Sequence, residues 1–377
     1  MISKRNRLII IVISSIFLLW TFSSTFSVPR LKANTEFSSS KSRLQAEKEK
    51  HSNWKTFGLK YQPFRKSRLP QDTTIRQQLS FEFPYEPNKP IAKNIWQTWK
   101  TSLNHETFPA KYRDYQASWE VQNKDYKHYV VTDEQCHQMI NDLYSTIPDV
   151  ANAYNIMPKS ILKADFFRYL ILFARGGVYS DIDTVNIKPI DEWISANKTF
   201  YGKQINPGLI VGIESDPDRP DWNDWYSRRI QFCQWTIQSK KGHPMLRELI
   251  ANITETTLIR QSNHQLNKVV GKDQGGDIME WTGPGIFTDY IFKYINNVLQ
   301  PPDNFISGKF DEKVTWKDFT GIESPLIMDD VMILPITCFS PGVGHMGSKN
   351  VDDPMAYVQH IFLGSWKKEE TDKQNAQ

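Results

Sequence analysis

Cysteine is scarce in this chain: 377 residues hold three, Cys136, Cys233 and Cys338. They lie far apart and match no zinc-ligand spacing, which excludes a structural zinc module and a small disulfide-built scaffold. An oxidising compartment would permit one disulfide among the three, and burial as small hydrophobes requires none. Internal repeats are also missing. After Pro29 no apolar run reaches the roughly 17–25 residues that a membrane-crossing helix needs. Positive charge is in short supply over most of the chain. The net charge is +4, but residues 1–80 carry 15 Lys+Arg against 4 Asp+Glu, so the other 297 residues are net acidic by −7. That balance excludes a basic nucleic-acid platform on the folded part, and no nucleic-acid partner is expected.

What is present starts at the N-terminus. No charged side chain occurs between Leu8 and Pro29, and Lys4, Arg5 and Arg7 precede the run. Residues 8–28 read as a transmembrane signal-anchor, about one bilayer's worth of helix, with residues 1–7 as a cytosolic tail under the positive-inside rule. The topology is then single-pass type II with a lumenal domain. A cleaved signal peptide shares the basic start and apolar centre, although the exit from Phe22 to Pro29 offers no convincing small-x-small cleavage site. Both readings put the domain in the secretory pathway, where the sequons at Asn197 and Asn252 are usable. Residues 29–80 are polar and rich in Ser, Lys, Gln and Arg. They lack the apolar surface to offset chain entropy, so a largely disordered stem is expected.

Aromatic density rises at Phe81-Glu82-Phe83-Pro84-Tyr85, where the folded domain, residues 81–377, is expected to begin. Ile91–Trp99 and Tyr126–Val131 read as strands, with a helix over Tyr112–Trp119 between them. Thr132-Asp133 caps a helix to about Leu143, and Ser160 opens another that ends at Gly176 or Gly177. A short strand, Val178-Tyr179-Ser180, follows. Strands alternating with helices over short connections predict an α/β domain whose mostly parallel sheet is covered on both faces. Ligands bind such sheets beyond the carboxyl ends of the strands.

Asp181-Ile182-Asp183 stands at such an end, on a turn. Two carboxylates one residue apart on a turning backbone can converge on one hard cation, which in turn can neutralise a diphosphate. Asp-x-Asp alone usually marks a solvated turn, and here the helix, the double glycine and the strand before it favour the functional reading. On that helix Asp165 and Arg168 stand at i and i+3 and share a face. As a surface ion pair they would be worth at most about 1 kcal/mol. The helix is apolar nearly all round, however, so the pair is expected to be buried and to need a partner or a purpose.

The run LKADFFRYLILFARGGVYSDIDT, with IWQTW, Gly242-His243-Pro244, WTGPGIF and HIFLGSW, resembles glycosyltransferase family 32 from about Phe81 to Trp366. Within the family the resemblance is to the fungal Golgi enzymes that begin the outer mannose chain. It implies a GT-A fold, Mn²⁺, GDP-mannose as donor, and retaining α-1,6-mannosyl transfer to the core N-glycan of glycoproteins at the Golgi membrane. A mannosyltransferase complex is an implied partner. It also implies that Asp181 contacts donor ribose and metal, that Asp183 ligates the metal, and that Asp165 and Arg168 hold the donor's sugar and ribose. Trp99 would stack on the base, His360 would complete the metal and diphosphate shell, and Gly364, Ser365 and Trp366 would close over the diphosphate. Trp96 stands where many members have His, and core packing is its expected role. Gln234 stands where many carry Asn, which leaves its role open. Alternative readings are a mannan-polymerase subunit, a sphingolipid mannosyltransferase, and a non-catalytic glycan-binding scaffold.

Overall fold

The computed structural model describes residues 72–269, 275–299 and 313–363. The expected anchor (8–28), nearly all of the expected stem, and Gly364, Ser365 and Trp366 lie outside the described residues. Among the described residues no helix is long and apolar enough to cross a membrane.

The first element among the described residues is α1 (Ile75–Glu82), which overlaps the end of the expected stem. Thr74 and Gln77 form a capping box at its start, which satisfies two backbone donors reciprocally. Leu79 is fully buried, and Arg76 pairs with Glu248 and Glu255. Then come β1 (Asn94–Trp99), α2 (Ala110–Gln122), β2 (Lys127–Thr132), α3 (Asp133–Leu143), α4 (Pro148–Ile156), α5 (Ser160–Arg175) and β3 (Gly177–Ser180). Thr132 caps α3 as expected, again with a capping box, through Gln135. The second half contains β4 (Thr184–Asn186), the hairpin β5 (Thr199–Phe200) and β6 (Lys203–Gln204), β7 (Leu209–Ser215), β8 (Gln231–Ser239) and α6 (Pro244–Ser262). It ends with α7 (Gly275–Trp281), α8 (Pro284–Asn297), β9 (Leu326–Met328), β10 (Val331–Leu334), α9 (Ile336–Phe339) and β11 (Val358–His360).

Seven strands form one sheet in the order β2-β1-β3-β8-β7-β10-β9. β1, β2, β3, β7 and β10 run one way, and β8 and β9 run against them. The sheet is therefore mixed but mostly parallel, and it is covered on both faces as expected. One core gathers Phe166, Phe167, Leu170, Leu249, Phe287 and Ile291 from α5, α6 and α8. The other gathers Trp119, Trp193, Cys233, Phe339 and Tyr357. Cys136, Cys233 and Cys338 are all buried and free, so the disulfide that an oxidising compartment would permit is not formed.

Two contacts aim the chain at the site. Gly-His-Pro is a structural clamp: His243 Nε2 lies 3.2 Å from Asp330 Oδ2, and the Tyr85 and Tyr294 hydroxyls donate to the same carboxylate. The double glycine ends α5 and starts β3. Gly176 and Gly177 have φ of +68° and +111°, and a Cβ on Gly177 would stand 2.4 Å from the Asn94 carbonyl oxygen. Only glycine fits between β3 and β1 there. Gly177→Ala is expected to cost at least about 2 kcal/mol through clash and strain, roughly 4–8 °C in Tm for a domain of this size. A thermal melt within 1 °C of the unsubstituted protein would contradict this close approach.

Candidate active site

The site lies at the carboxyl ends of β1, β3 and β7, beside the middle of β8. Asp181 follows β3 directly, and its backbone N–H donates to the Trp235 carbonyl on β8 (2.8 Å). Its carbonyl accepts from Thr184 N–H, the Thr184 hydroxyl and Gln97 Nε2. The turn is thus pinned from three sides before its carboxylates do anything. Gln97 is itself held by His128, so the β1–β2 pair supports the turn.

Arg168 is the buried centre of the site. Its Nη2 lies 2.9 Å from Asp165 Oδ1 and 3.3 Å from Asp181 Oδ1, and its Nη1 donates to the Gln234 carbonyl at 3.1 Å. The guanidinium stacks over the Tyr179 ring at 5.0 Å, and the Tyr179 hydroxyl donates to Asp181 Oδ1 at 2.9 Å. Side-chain exposure is 4% for Arg168 and 2% for Asp165, which rules out a solvated surface pair. Gln234 donates to Asp165 Oδ1, Thr282 donates to Oδ2, and Tyr169 donates to both the Gln234 side chain and the Thr282 carbonyl. Gln234, whose role the sequence leaves open, is thus bonded to Asp165. Burial pushes the Asp165 carboxyl up to about 6 even though Arg168 pulls it down. For Arg168, burial opposes the charge, but Asp181, Tyr179 and Asp165 outweigh it, so the guanidinium stays charged.

The third cluster spans the chain. β11 pairs antiparallel with β4, with His360 opposite Thr184, and this pairing carries His360 to Asp183. His360 Nε2 lies 3.3 Å from Asp183 Oδ1, and Leu363 N–H donates to Asp183 Oδ2 at 3.2 Å. Ligand atoms of Asp181, Asp183 and His360 all lie within 4.8 Å of one another. Two carboxylates and one imidazole at that separation suit a single divalent metal ion. Burial raises the Asp183 carboxyl, but the hydrogen bond and charge of His360 and the backbone N–H of Leu363 more than offset it, so the net shift is downward. Asp181 ends above the usual range, because burial outweighs Arg168. His360 is fixed by stacking on Trp235, with centroids 4.7 Å apart and planes 19° apart.

The remaining expected residues fall as follows. Trp99, half-buried, stands edge-on to Tyr112 at 4.7 Å and near Phe108, at the end of β1. Trp96 packs in the core, stacked on Tyr129, with Nε1 donating to the Gly176 carbonyl. Asn197 is exposed, whereas Asn252 lies within α6, where the Thr254 hydroxyl is buried and donates to the Ile250 carbonyl. Three participants were given no role from sequence: Tyr179 and Thr282, which lie inside quoted motifs, and Trp235, which follows Gln234.

Breaking the buried pair on one side only should be costly. Arg168→Met is expected to lose about 3–5 kcal/mol, because it leaves Asp165 buried without a counter-charge, and Asp165→Leu combined with it should recover most of that. Urea unfolding of the two variants measures the difference. A single variant within 1 kcal/mol of the unsubstituted protein would contradict the buried-pair account.

Residues 109–200 match the model of a glycosyltransferase sugar-binding region containing a DXD motif. The chain is 59% identical to an initiation-specific α-1,6-mannosyltransferase of Candida albicans, over 97% of this chain and 96% of that one. Enzymes of the same name from Saccharomyces cerevisiae and Schizosaccharomyces pombe are 40% and 46% identical, each over 79% of this chain and over 82% and 68% of their own lengths. The chain therefore belongs to the DXD-containing glycosyltransferases of family 32, together with these fungal α-1,6-mannosyltransferases.

Proposed function

We propose that this protein is a retaining α-1,6-mannosyltransferase of the GT-A type that moves mannose from GDP-mannose to the core N-glycan of glycoproteins, beginning an outer mannose chain. The observation that carries the reading is the convergence of Asp181, Asp183 and His360 on one point, beside the buried Asp165–Arg168 pair. A binding scaffold would need no such pair, since a buried ion pair is a poor source of stability. The near full-length identity to the Candida enzyme supports the linkage and the acceptor.

In this reading Asp181, Asp183 and His360 hold Mn²⁺, which when bound offsets the charge of the departing diphosphate. Arg168 is already fixed by four groups, and its buried Nε has no partner among the described residues. That leaves a donor for the ribose or the transferred sugar without reorganisation, which is what an electrostatically preorganised site requires. Asp165, held by Gln234 and Thr282, presents a carboxylate to sugar hydroxyls. Trp99 stacks on the guanine, and Gly364, Ser365 and Trp366 close over the diphosphate. Residues 8–28 anchor the chain in the Golgi membrane as a single-pass type II protein, with the enzyme in the lumen and other mannosyltransferases as candidate complex partners.

Incubating the purified protein with GDP-mannose, Mn²⁺ and a defined core N-glycan should release GDP and add one α-1,6-linked hexose. Asp183→Ala should abolish transfer. His360→Ala should raise the Mn²⁺ requirement by about 10–100-fold, the scale of perturbed metal sites, with partial rescue by excess Mn²⁺. An unchanged Mn²⁺ titration for His360→Ala would remove the histidine from the shell, and a product of other linkage would overturn the acceptor reading.

A further inference from the structure

We propose that Glu214 is a further substrate-contacting residue of this site, whose free carboxylate oxygen accepts a hydrogen bond from a hydroxyl of the acceptor saccharide. The inference rests on the transferase reading and deepens it.

The first support is the local backbone. Along β7, Leu209, Val211 and Ile213 enter one core, while Ile210 enters the other and Gly212 lies against Phe339 of that second core. Glu214 continues the second face, to which Cys233 and Trp235 of β8 also belong. The β7–β8 ladder is irregular here. Ile213 pairs with Phe232 and Ser215 with Gln231, so Glu214 is the extra residue of a bulge. Before it, Val211 pairs with Ile237, so β8 spends five positions against two on β7, and the surplus contains Gln234 and Trp235. Bulges beside active sites re-aim side chains, and this one interrupts pairing where Gln234, Trp235 and Glu214 are presented.

The second support is the state of the polar atoms. Glu214 is partly buried. It takes a hydrogen bond from Gln231, and its Oε2 is shut off from solvent with no partner among the described residues. Trp235, 5% exposed, has an indole Nε1 in the same condition, as do Arg168 Nε and His360 Nδ1. Glu214 is close enough to His360 and Arg168 for their charges to act on it. Ser215 Oγ and Gln231 Oε1, beside Glu214, are unpaired as well among the described residues. Buried polar groups are nearly always satisfied, so a run of unpaired atoms on neighbouring side chains marks where a ligand can supply the missing partners. Burial also pushes the Glu214 carboxyl up to about 7.

The choice of the acceptor over the donor follows from charge and position. A carboxylate that is not a metal ligand would be repelled by a nucleotide diphosphate, and the donor's sugar hydroxyls already have Asp165, whereas an acceptor saccharide brings further hydroxyl donors that suit an acceptor-only group. Donor-side contacts are already supplied by α5 and the turn after β3, and Glu214 lies two strands further along the sheet. The chain then enters the segment 216–230, which carries Trp222, Trp225 and Tyr226, with Trp225 67% exposed. Amphipathic aromatic surface in the segment that follows a hydroxyl-binding carboxylate along the chain suits a saccharide.

Glu214→Gln is isosteric, removes the charge and exchanges one acceptor oxygen for an amide donor, so the test compares acceptor and donor parameters in the full chain. The acceptor kcat/KM is expected to fall at least tenfold, while GDP affinity with Mn²⁺, measured by calorimetry, stays within twofold and Tm is equal or higher. Glu214→Asp keeps the charge on a shorter arm and should lose acceptor kcat/KM in the same direction by a smaller factor. Unchanged acceptor kinetics in a turning-over enzyme would overturn the inference and leave the transferase reading intact. A parallel loss of GDP affinity would assign Glu214 to the donor and overturn it too. Absence of turnover in the unsubstituted protein would overturn both.

Discussion

Everything at this site hangs on the Arg168 guanidinium, a permanent charge buried where three elements meet. It ties α5 to the turn after β3 through Asp165 and Asp181, and to β8 through the Gln234 carbonyl. A charge taken out of water must be repaid by partners of good geometry. Here the partners are the groups that the donor is proposed to use, so the interaction that keeps the guanidinium in the core also fixes the relative positions of Asp165 and Asp181. The glycine pair before β3 serves the same end, letting that strand lie close to β1 so that Asp181 emerges beside Gln97.

Hydrogen-bond satisfaction is uneven across the site. The backbone of the Asp181–Thr184 turn is bonded repeatedly, as is the Asp165 carboxylate. The unpaired atoms around it, Arg168 Nε, Trp235 Nε1, His360 Nδ1 and Glu214 Oε2, sit on side chains whose other atoms are firmly held or stacked. A rigid frame with unspent hydrogen-bonding capacity is what a site needs if its dipoles are to be in place before the substrate arrives.

Much of this was legible in the sequence because it is local. The capping Thr132, the apolar helix from Ser160, the glycines that end it and Asp181-Ile182-Asp183 all carry short-range signatures, and the structure has them where the residues predict. The i, i+3 spacing of Asp165 and Arg168 was readable, and so was their burial. What was not readable depends on register. His360 was expected in the shell from the family resemblance alone: it reaches Asp183 from 177 positions away because β11 pairs with β4, and no local signal encodes that pairing. Glu214 is one acidic residue among apolar ones until the bulge between β7 and β8 is known. The helix Ile75–Glu82 also carries little local signal: it is polar in composition, and a single buried leucine with Arg76 bridging to α6 docks it.

The central claim is that Asp181, Asp183 and His360 form one metal and diphosphate centre although they come from two remote segments. Anomalous diffraction from crystals grown with Mn²⁺ and GDP tests it most directly. The account predicts a single strong manganese peak bonded to Asp183 and to the His360 imidazole, with the diphosphate on the same ion and Arg168 still joined to Asp165. A manganese peak that lacks His360, or a diphosphate bound away from the ion, would contradict it.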